Sequence, residues 1–391
     1  MSKPVHVALV IQDLYRLGGQ YVTALVARGL VARGYRVDLV VSKVHRDLGK
    51  ERPDLRFFEV PDAVRWIHLK SRKASRNVWG LARYFRRETP NVVISMSSNY
   101  NVACGLAMCF CWRRRPWFIS TEHAGTAGGL TFPGMKITKH SFVIIKRWAQ
   151  AKLLKNAVQL LTVSEGIRTR MLACGWRSEQ VITVFNPVVD DAFWVKRQKE
   201  PSHPWLKNKT YPVFVAAGAH VSVKGHTVLL HAFVKVTAER ICRLIIFGEG
   251  KETENLKQLA KKLKISDQVD FPGFTNNLPA NLKLADGFVV SSYLESFSVV
   301  LVEALACGVP VVSTNCPSGP PEILQQGKFG ILCEVNNPDS LAEGMLKILN
   351  GKGITPPQVS WEPYTLERVM DTYEQVIHTV LKKGQFQKST S

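Results

Sequence analysis

Residues 291–314 read Ser291-Ser-Tyr-Leu-Glu295-Ser-Phe-Ser298-Val-Val-Leu-Val-Glu303-Ala-Leu-Ala-Cys-Gly308-Val-Pro310-Val-Val-Ser-Thr314. The β-branched run at 287–291 is a short strand, and 297–306 is an apolar helix stopped at Gly308. Residues 309–313 are a second strand, carrying Pro310. Strand, helix and strand in this order form a parallel βαβ unit. Glu295 stands just before the helix and Glu303 about two turns inside it. The backbone amides of Ser298 and Val299 point out of the helix N-terminus, where the dipole also favours an anion such as a diphosphate. Glu303 lies roughly 7 Å further along at a rise of ~1.5 Å per residue, a ribose-like distance from phosphates held there. Glu295, on the other side of those phosphates, can reach sugar hydroxyls. An ordinary amphipathic helix with two surface glutamates has the same pattern, so spacing alone leaves both readings open.

The same βα alternation extends in both directions. In the N-terminal half, strands are expected at 5–11, 37–42, 56–60, 92–95, 117–121, 160–162 and 181–184. A Gly18-Gly19 turn and a helix over 20–33 follow the first strand. In the C-terminal half, strands are expected at 213–217, 243–247, 269–271, 287–291, 309–313 and 330–333, with helices at 226–237, 252–263, 297–306 and 340–349. The texture changes at Asn186-Pro187, and Pro201, Pro204 and Pro212 mark 197–212 as the linker candidate. The predicted architecture is α/β, with two doubly wound Rossmann-like domains at 1–190 and 205–365 facing a central cleft. A helix at 366–383 is expected to pack back on the N-terminal domain, and 384–391 reads as a flexible tail.

The chain has 391 residues, 46% hydrophobic and 21% charged. That suits two globular domains and excludes disordered or collagen-like chains. Net charge is +21. Residues 1–190 hold 30 basic and 12 acidic residues, or +18, while the remainder is near neutral at +3. A field so concentrated implies an anionic partner. Three stretches also interleave aromatic with basic residues. Residues 64–87 contain Arg72, Lys73, Arg76, Arg86 and Arg87 among Trp66, Trp79, Tyr84 and Phe85. Residues 112–117 set Arg113, Arg114 and Arg115 between two tryptophans, and 136–155 repeat the mix. This suits an anionic membrane surface or a lipid-linked acceptor. RNA is a weaker match, without a recognition motif, and a solvated basic face with the aromatics inside is the plain alternative. The longest apolar run, 102–112, is too short to span a bilayer, which takes about 20 residues. No Cys-x-x-Cys occurs among the eight cysteines, so they read as reduced buried thiols rather than a zinc site.

The two glutamates separated by seven residues, the loop Glu295-Ser-Phe and the run Glu303-Ala-Leu-Ala-Cys-Gly308-Val-Pro310 resemble the nucleotide-sugar motif of the family-four retaining glycosyltransferases, which have the GT-B fold. Further C-terminal segments resemble that family in the expected order: Phe247-Gly248-Glu-Gly250, Val269-Asp-Phe-Pro-Gly273-Phe274 beside the nucleobase, and Asn315-Cys-Pro-Ser-Gly-Pro-Pro-Glu322. Val221-Ser-Val-Lys224-Gly225 resembles its Lys-Gly, whose lysine neutralises the donor diphosphate. In the N-terminal half, Leu17-Gly18-Gly19 resembles the glycine turn that approaches the donor, and Ser120-Thr-Glu122-His123 the segment whose histidine contacts the transferred sugar.

The resemblance implies a glycosyltransferase moving a hexose or N-acetylhexosamine from a nucleotide-sugar, UDP-linked by expectation, to a lipid-linked saccharide or lipopolysaccharide acceptor. It places the enzyme in the cytoplasm, peripheral on the inner face of the plasma membrane. Glu303 would grip the ribose, while Lys224 with the Ser298 and Val299 amides would take the diphosphate. Glu295 and His123 would orient the sugar, and Gly18, Gly19, Gly248 and Phe274 would line the donor. Two positions depart from the pattern. The arginine usual five residues before the lysine is Ala219, for which His220 is the candidate substitute. The usual glycine after Glu-Ser-Phe is Ser298, which keeps its amide. No Asp-x-Asp occurs in the chain, which fits a metal-independent enzyme with no cofactor; with no recognition motif, no nucleic acid partner is expected. A sugar-nucleotide epimerase or phosphorylase on the same fold, and a non-catalytic donor-binding scaffold, remain as rivals.

Overall fold

The computed structural model describes residues 4–14, 18–43, 60–111, 115–123 and 157–389. The chain divides into two compact units, Met1–Pro187 with Leu366–Ser391, and Val188–Thr365. The first contains β1 (His6–Ile11), α1 (Gly18–Ala32), β2 (Arg36–Val41), β3 (Arg65–His68), α2 (Val78–Glu88), β4 (Val92–Ser95), α3 (Ser98–Met108), β5 (Trp117–Glu122), β6 (Gln159–Thr162), α4 (Glu165–Ala173) and β7 (Val181–Thr183). The second contains α5 (Asp191–Gln198), β8 (Val213–Ala217), α6 (His226–Glu239), β9 (Arg243–Phe247), α7 (Thr253–Lys262), β10 (Val269–Gly273), β11 (Gly287–Val290), α8 (Val299–Cys307), β12 (Val311–Thr314), β13 (Ile331–Cys333) and α9 (Pro338–Lys347). A closing helix, α10 (Leu366–Ser389), returns to the first unit.

Each unit is a doubly wound parallel sheet. The first runs β3-β2-β1-β4-β5-β6-β7 and the second β10-β9-β8-β11-β12-β13. Strands such as β1 and β11 are buried along their whole length, as expected when helices cover both faces of a parallel sheet. Strand order reverses between β1 and β4, and again between β8 and β11. At such switch points the outgoing loops diverge and leave a crevice beyond the strand C-termini.

Asp38 breaks the apolar run of β2 and is wholly buried. It accepts from Arg65 Nη2 at 2.5 Å and Tyr84 OH at 2.5 Å, His6 Nε2 lies 2.9 Å away, and Arg65 reaches on to Glu88 at 2.6 Å. Burial alone would raise its pKa, but His6, Arg65 and Tyr84 gathered around it hold the carboxyl well below the usual range. A depressed folded-state pKa gives stability that is present above the ordinary carboxylate range and lost as pH falls below it. Asp38→Ala leaves the buried Tyr84 hydroxyl without its acceptor and breaks the ion pair with the exposed Arg65, so urea unfolding should show a loss of about 1–3 kcal/mol. An unchanged midpoint would contradict this reading of the network.

The C-terminal helix packs on α1, as expected. Gly29 makes the close approach possible, since a Cβ there would lie 2.4 Å from Met370 Cγ. Arg33 pairs with Asp371 at 2.5 Å, and Tyr35 OH meets Glu374 at 3.1 Å. The helix continues to Ser389, so the loose tail expected at 384–391 is helical for most of its length.

The expected linker is also corrected. The units part at Pro187/Val188 and Thr365/Leu366, whereas 197–212 packs on the second unit. Asn281 Oδ1 accepts from the Ser202 and His203 amides, and His203 Nε2 meets Asp270 at 2.7 Å. The prolines there shape an anchored strap. Strand β3 was not anticipated, and the expected strand at 56–60 lies outside the described residues but for Val60, which is not in a strand.

The basic-aromatic stretch at 64–87 separates by position. Tyr84 and Phe85 are buried in the core, while Trp79 is 66% exposed and packs against Phe110 with ring centroids 4.5 Å apart. Arg72, Lys73, Arg76, Arg86, Arg87 and Arg115 are exposed. Arg113, Arg114 and the 136–155 stretch lie outside the described residues. No helix among the described residues is long and apolar enough to cross a membrane.

Candidate functional site

The second unit gathers the candidate donor residues at its switch point. Beyond β8 the chain runs through Gly218, Ala219 and His220 to Lys224; beyond β11 it runs from Ser291 to Glu295. These two loops close on each other. Lys224 Nζ pairs with Glu295 Oε1 at 2.6 Å, and Ser292 Oγ donates to the same oxygen at 2.8 Å. Gly225 permits the approach. It has φ +64°, and a Cβ there would lie 2.0 Å from the Ser291 carbonyl oxygen. Ser291 Oγ donates to the Lys224 carbonyl at 2.9 Å. Lys224 remains partly exposed, while Glu295 is buried. The result is one fixed cation and one fixed carboxylate at the mouth of the crevice.

Residues after β12 hold the Glu295 loop from behind. Thr314 Oγ1 donates to the Ser292 carbonyl at 2.7 Å, and Ser318 Oγ donates to the Glu295 carbonyl at 2.6 Å. Sequence reasoning took 315–322 only as a family-like segment. The small hydroxyl residues were the available signal, but their partners lie more than twenty residues away in the chain.

Next comes α8, with Ser298 as its N-cap. Its first-turn amides lack intrahelical acceptors, which makes a helix start an anion-favouring place. Glu303, inside the helix, is half-buried. Burial pushes its carboxyl up to about 7, with Lys196 of α5 pulling it partly back. It makes no hydrogen bond among those described for this chain, so a ligand hydroxyl would find an unengaged carboxyl.

The outer rim is built by the turns after β8, β9 and β10. Gly248 has φ +132°, and a Cβ would strike the Gly218 carbonyl oxygen at 1.9 Å, so only glycine fits. Its amide donates to the Gly273 carbonyl at 2.9 Å. Phe274, following that turn, is 37% exposed. His220 does not join this surface. It is wholly buried, its Nδ1 lies 2.9 Å from Thr253 Oγ1, and burial lowers its pKa. A neutral buried ring gives no cation in place of the arginine missing at Ala219. It supports the glycine turn instead.

In the first unit, Gly18 and Gly19 form the first turn of α1 rather than a turn before it. A Cβ at Gly19 would meet nothing within 4 Å, so internal packing does not demand glycine there. His123 follows β5 at the C-terminal edge of that sheet. Burial lowers its pKa to about 4, and its Nε2 is buried with no protein partner. Beside it, Glu122 accepts from Ser98 Oγ at 3.0 Å. A neutral imidazole with one unused nitrogen can exchange a hydrogen bond with a hydroxyl. Among the described residues no cluster of three or more His, Cys, Asp or Glu is arranged to hold a metal ion.

Comparison with known proteins bears on both units. The family model described as Glycosyltransferase Family 4 matches residues 18–192, and that described as Glycosyl transferases group 1 matches 197–366. Among curated relatives, the N-acetyl-alpha-D-glucosaminyl L-malate synthase of Bacillus anthracis is 28% identical over 52% of this chain and 55% of its own length. An uncharacterized glycosyltransferase of Haemophilus influenzae is 30% identical over 44% of this chain and 50% of its own. The chain thus spans about half the length of these two relatives. An N-acetylgalactosaminyltransferase of Campylobacter jejuni, named for a diphospho-undecaprenol-linked substrate, is 25% identical over 76% of this chain and 74% of its own. Among solved structures, a glycosyltransferase from Rickettsia africae has a TM-score of 0.74 at 17% identity, covering 97% of this chain and 99% of that one. Anabaena HepE in complex with UDP and glucose also gives 0.74, at 16% identity, over 96% and 99%. With matched models over both halves, and the fold shared along nearly the whole length, the chain belongs to the family-four glycosyltransferases and has the GT-B fold.

Proposed function

We propose that this chain is a retaining, metal-independent glycosyltransferase. It moves a hexose or N-acetylhexosamine from a UDP-sugar to a lipid-linked saccharide or lipopolysaccharide acceptor. The observation that carries this reading is the Lys224–Glu295 pair at the switch point, backed by the α8 N-terminus and the unengaged Glu303. Lys224 and the α8 amides meet the developing charge of the leaving diphosphate, work that a divalent ion does elsewhere. Glu303 takes the ribose hydroxyls. Glu295 and His123 orient the sugar. The bond from the anomeric carbon to the diphosphate oxygen breaks as the acceptor oxygen bonds to the same face. The leaving phosphate oxygen takes the acceptor's proton, so no separate base is assigned.

Support for the acceptor class comes from relatives. The Campylobacter jejuni enzyme above is named for a lipid diphosphate-linked substrate, and a lipopolysaccharide 1,6-galactosyltransferase of Salmonella typhimurium is 24% identical over 78% of each chain. The exposed basic residues around α2, with Trp79 protruding, suit peripheral contact with an anionic leaflet on the cytoplasmic side. The reading is tested by incubating the protein and UDP-sugars with lipid-linked saccharides in vesicles. An α-sugar transferred with its anomeric configuration kept is the expected product. An inverted product, or an epimerised donor without transfer, would overturn it.

The raised pKa of Glu303 gives this site a pH dependence. The ionised carboxylate is the better acceptor for ribose hydroxyls, so UDP should bind more tightly as pH rises through about 7. The affinity ratio between pH 8 and pH 6 should be ~10 from Glu303 alone. Titration calorimetry on Glu303→Gln separates this from ionisation of the phosphate, because the variant should lose that share of the pH slope. An identical slope in both proteins would contradict the assignment.

A further inference from the structure

Ser298 is the N-cap of α8, with φ +101° and ψ +80°. An L-side chain is strained there, whereas glycine is not. The change from the family's usual glycine is therefore not the mild one that a retained amide suggests. Serine at an N-cap normally accepts from an amide of the first turn, yet this hydroxyl makes no such bond. The residue is only 7% exposed, and its Oγ is buried with no partner among the protein's groups. Two unfavourable features thus coincide in one residue, and glycine would remove both. Strain of this kind gathers where function needs it.

What the hydroxyl faces can be argued from its place. It sits at an anion-favouring helix N-terminus, three residues after Glu295, on the loop that Lys224 joins through their ion pair. The turn after β8 offers no charged side chain ahead of Lys224, since Ala219 has none and the ring of His220 is buried, with burial lowering its pKa. An additional neutral hydrogen-bond donor belongs where one positive group is missing. We propose that the Ser298 hydroxyl donates a hydrogen bond directly to the diphosphate of the bound nucleotide-sugar, partly replacing the cation absent at residue 219. This rests on the donor-site reading above.

The test measures UDP and uridine binding to the full chain by calorimetry and competition, for the natural protein, Ser298→Ala and Ser298→Gly, with thermal midpoints alongside. All three keep the residue-298 amide, so only the hydroxyl and the strain vary. UDP affinity should fall about 5- to 30-fold in both variants, with uridine affinity unchanged. Ser298→Gly should melt higher than the natural protein while binding UDP worse, a combination that a purely structural serine would not produce. Undiminished UDP binding in both variants would overturn the proposal and leave the donor site standing. A natural protein that binds neither UDP, GDP nor ADP would overturn the donor site and the proposal together.

Discussion

Glu303→Ala is expected to lower kcat/KM for the nucleotide-sugar by about 10²- to 10⁴-fold while the protein stays folded. Hydrogen bonds to a charged partner contribute about 1.5–3 kcal/mol each, and two ribose hydroxyls meet one carboxylate. The loss should fall mostly on donor binding, because the ribose is remote from the reacting carbon and its contacts change little on the way to the transition state. Stability should move the other way. Burial raises Glu303 from 4.5 to about 7. The unfolded chain therefore ionises first, so this group's contribution is present below about 4.5 and is lost as pH rises to about 7. At pH 8 the folded protein carries a costly charge, which alanine removes. Lower activity with an equal or higher thermal midpoint is the expected signature. Unchanged activity would mean that α8 does not hold the nucleotide.

Lys224→Ala should reduce kcat by about 10²- to 10³-fold, the range seen on removing one preorganised charge-stabilising group. This variant should also lose stability, unlike Glu303→Ala. Lys224 holds the buried Glu295 at 2.6 Å, and deleting it leaves a carboxylate with only Ser292 for company. The double variant Lys224→Met with Glu295→Gln should recover stability without recovering turnover, which separates the structural role of the pair from the catalytic one. Lys224→Arg should rescue poorly, since a planar fork does not replace a point charge in a site closed by Gly225. Full activity in Lys224→Ala would remove the pair from the account.

The same pair shows how far the sequence alone could be read. Lys224-Gly225 and the two glutamates stood out because the donor motif is local: a loop, a helix start and a carboxylate two turns on. The parallel βα architecture was equally legible, because buried parallel strands are short apolar runs separated by helical periods. What escaped depended on contacts distant in sequence. Lys224 and Glu295 are 71 residues apart, and nothing local says that they pair. The proline-bearing strap at 197–212 looked like a linker because Asn281, which ties it down, is some eighty residues away. His220 looked like a substitute cation because burial is invisible in a string of letters. Ser298 looked conservative because a sequence does not display a positive φ. The Asp38 network was missed for a related reason: one acid in an apolar strand gives no sign of partners on β1, β3 and α2.

The central claim is that the second unit binds and activates a nucleotide-sugar without metal. The most direct measurement is release of nucleotide from UDP-, GDP- and ADP-sugars by the purified protein, with chelator present and acceptor omitted, alongside Glu303→Ala. The account predicts slow release of UDP from one UDP-sugar, unaffected by chelator and lost in the variant. Release that requires a divalent ion, or that persists undiminished in Glu303→Ala, would contradict it.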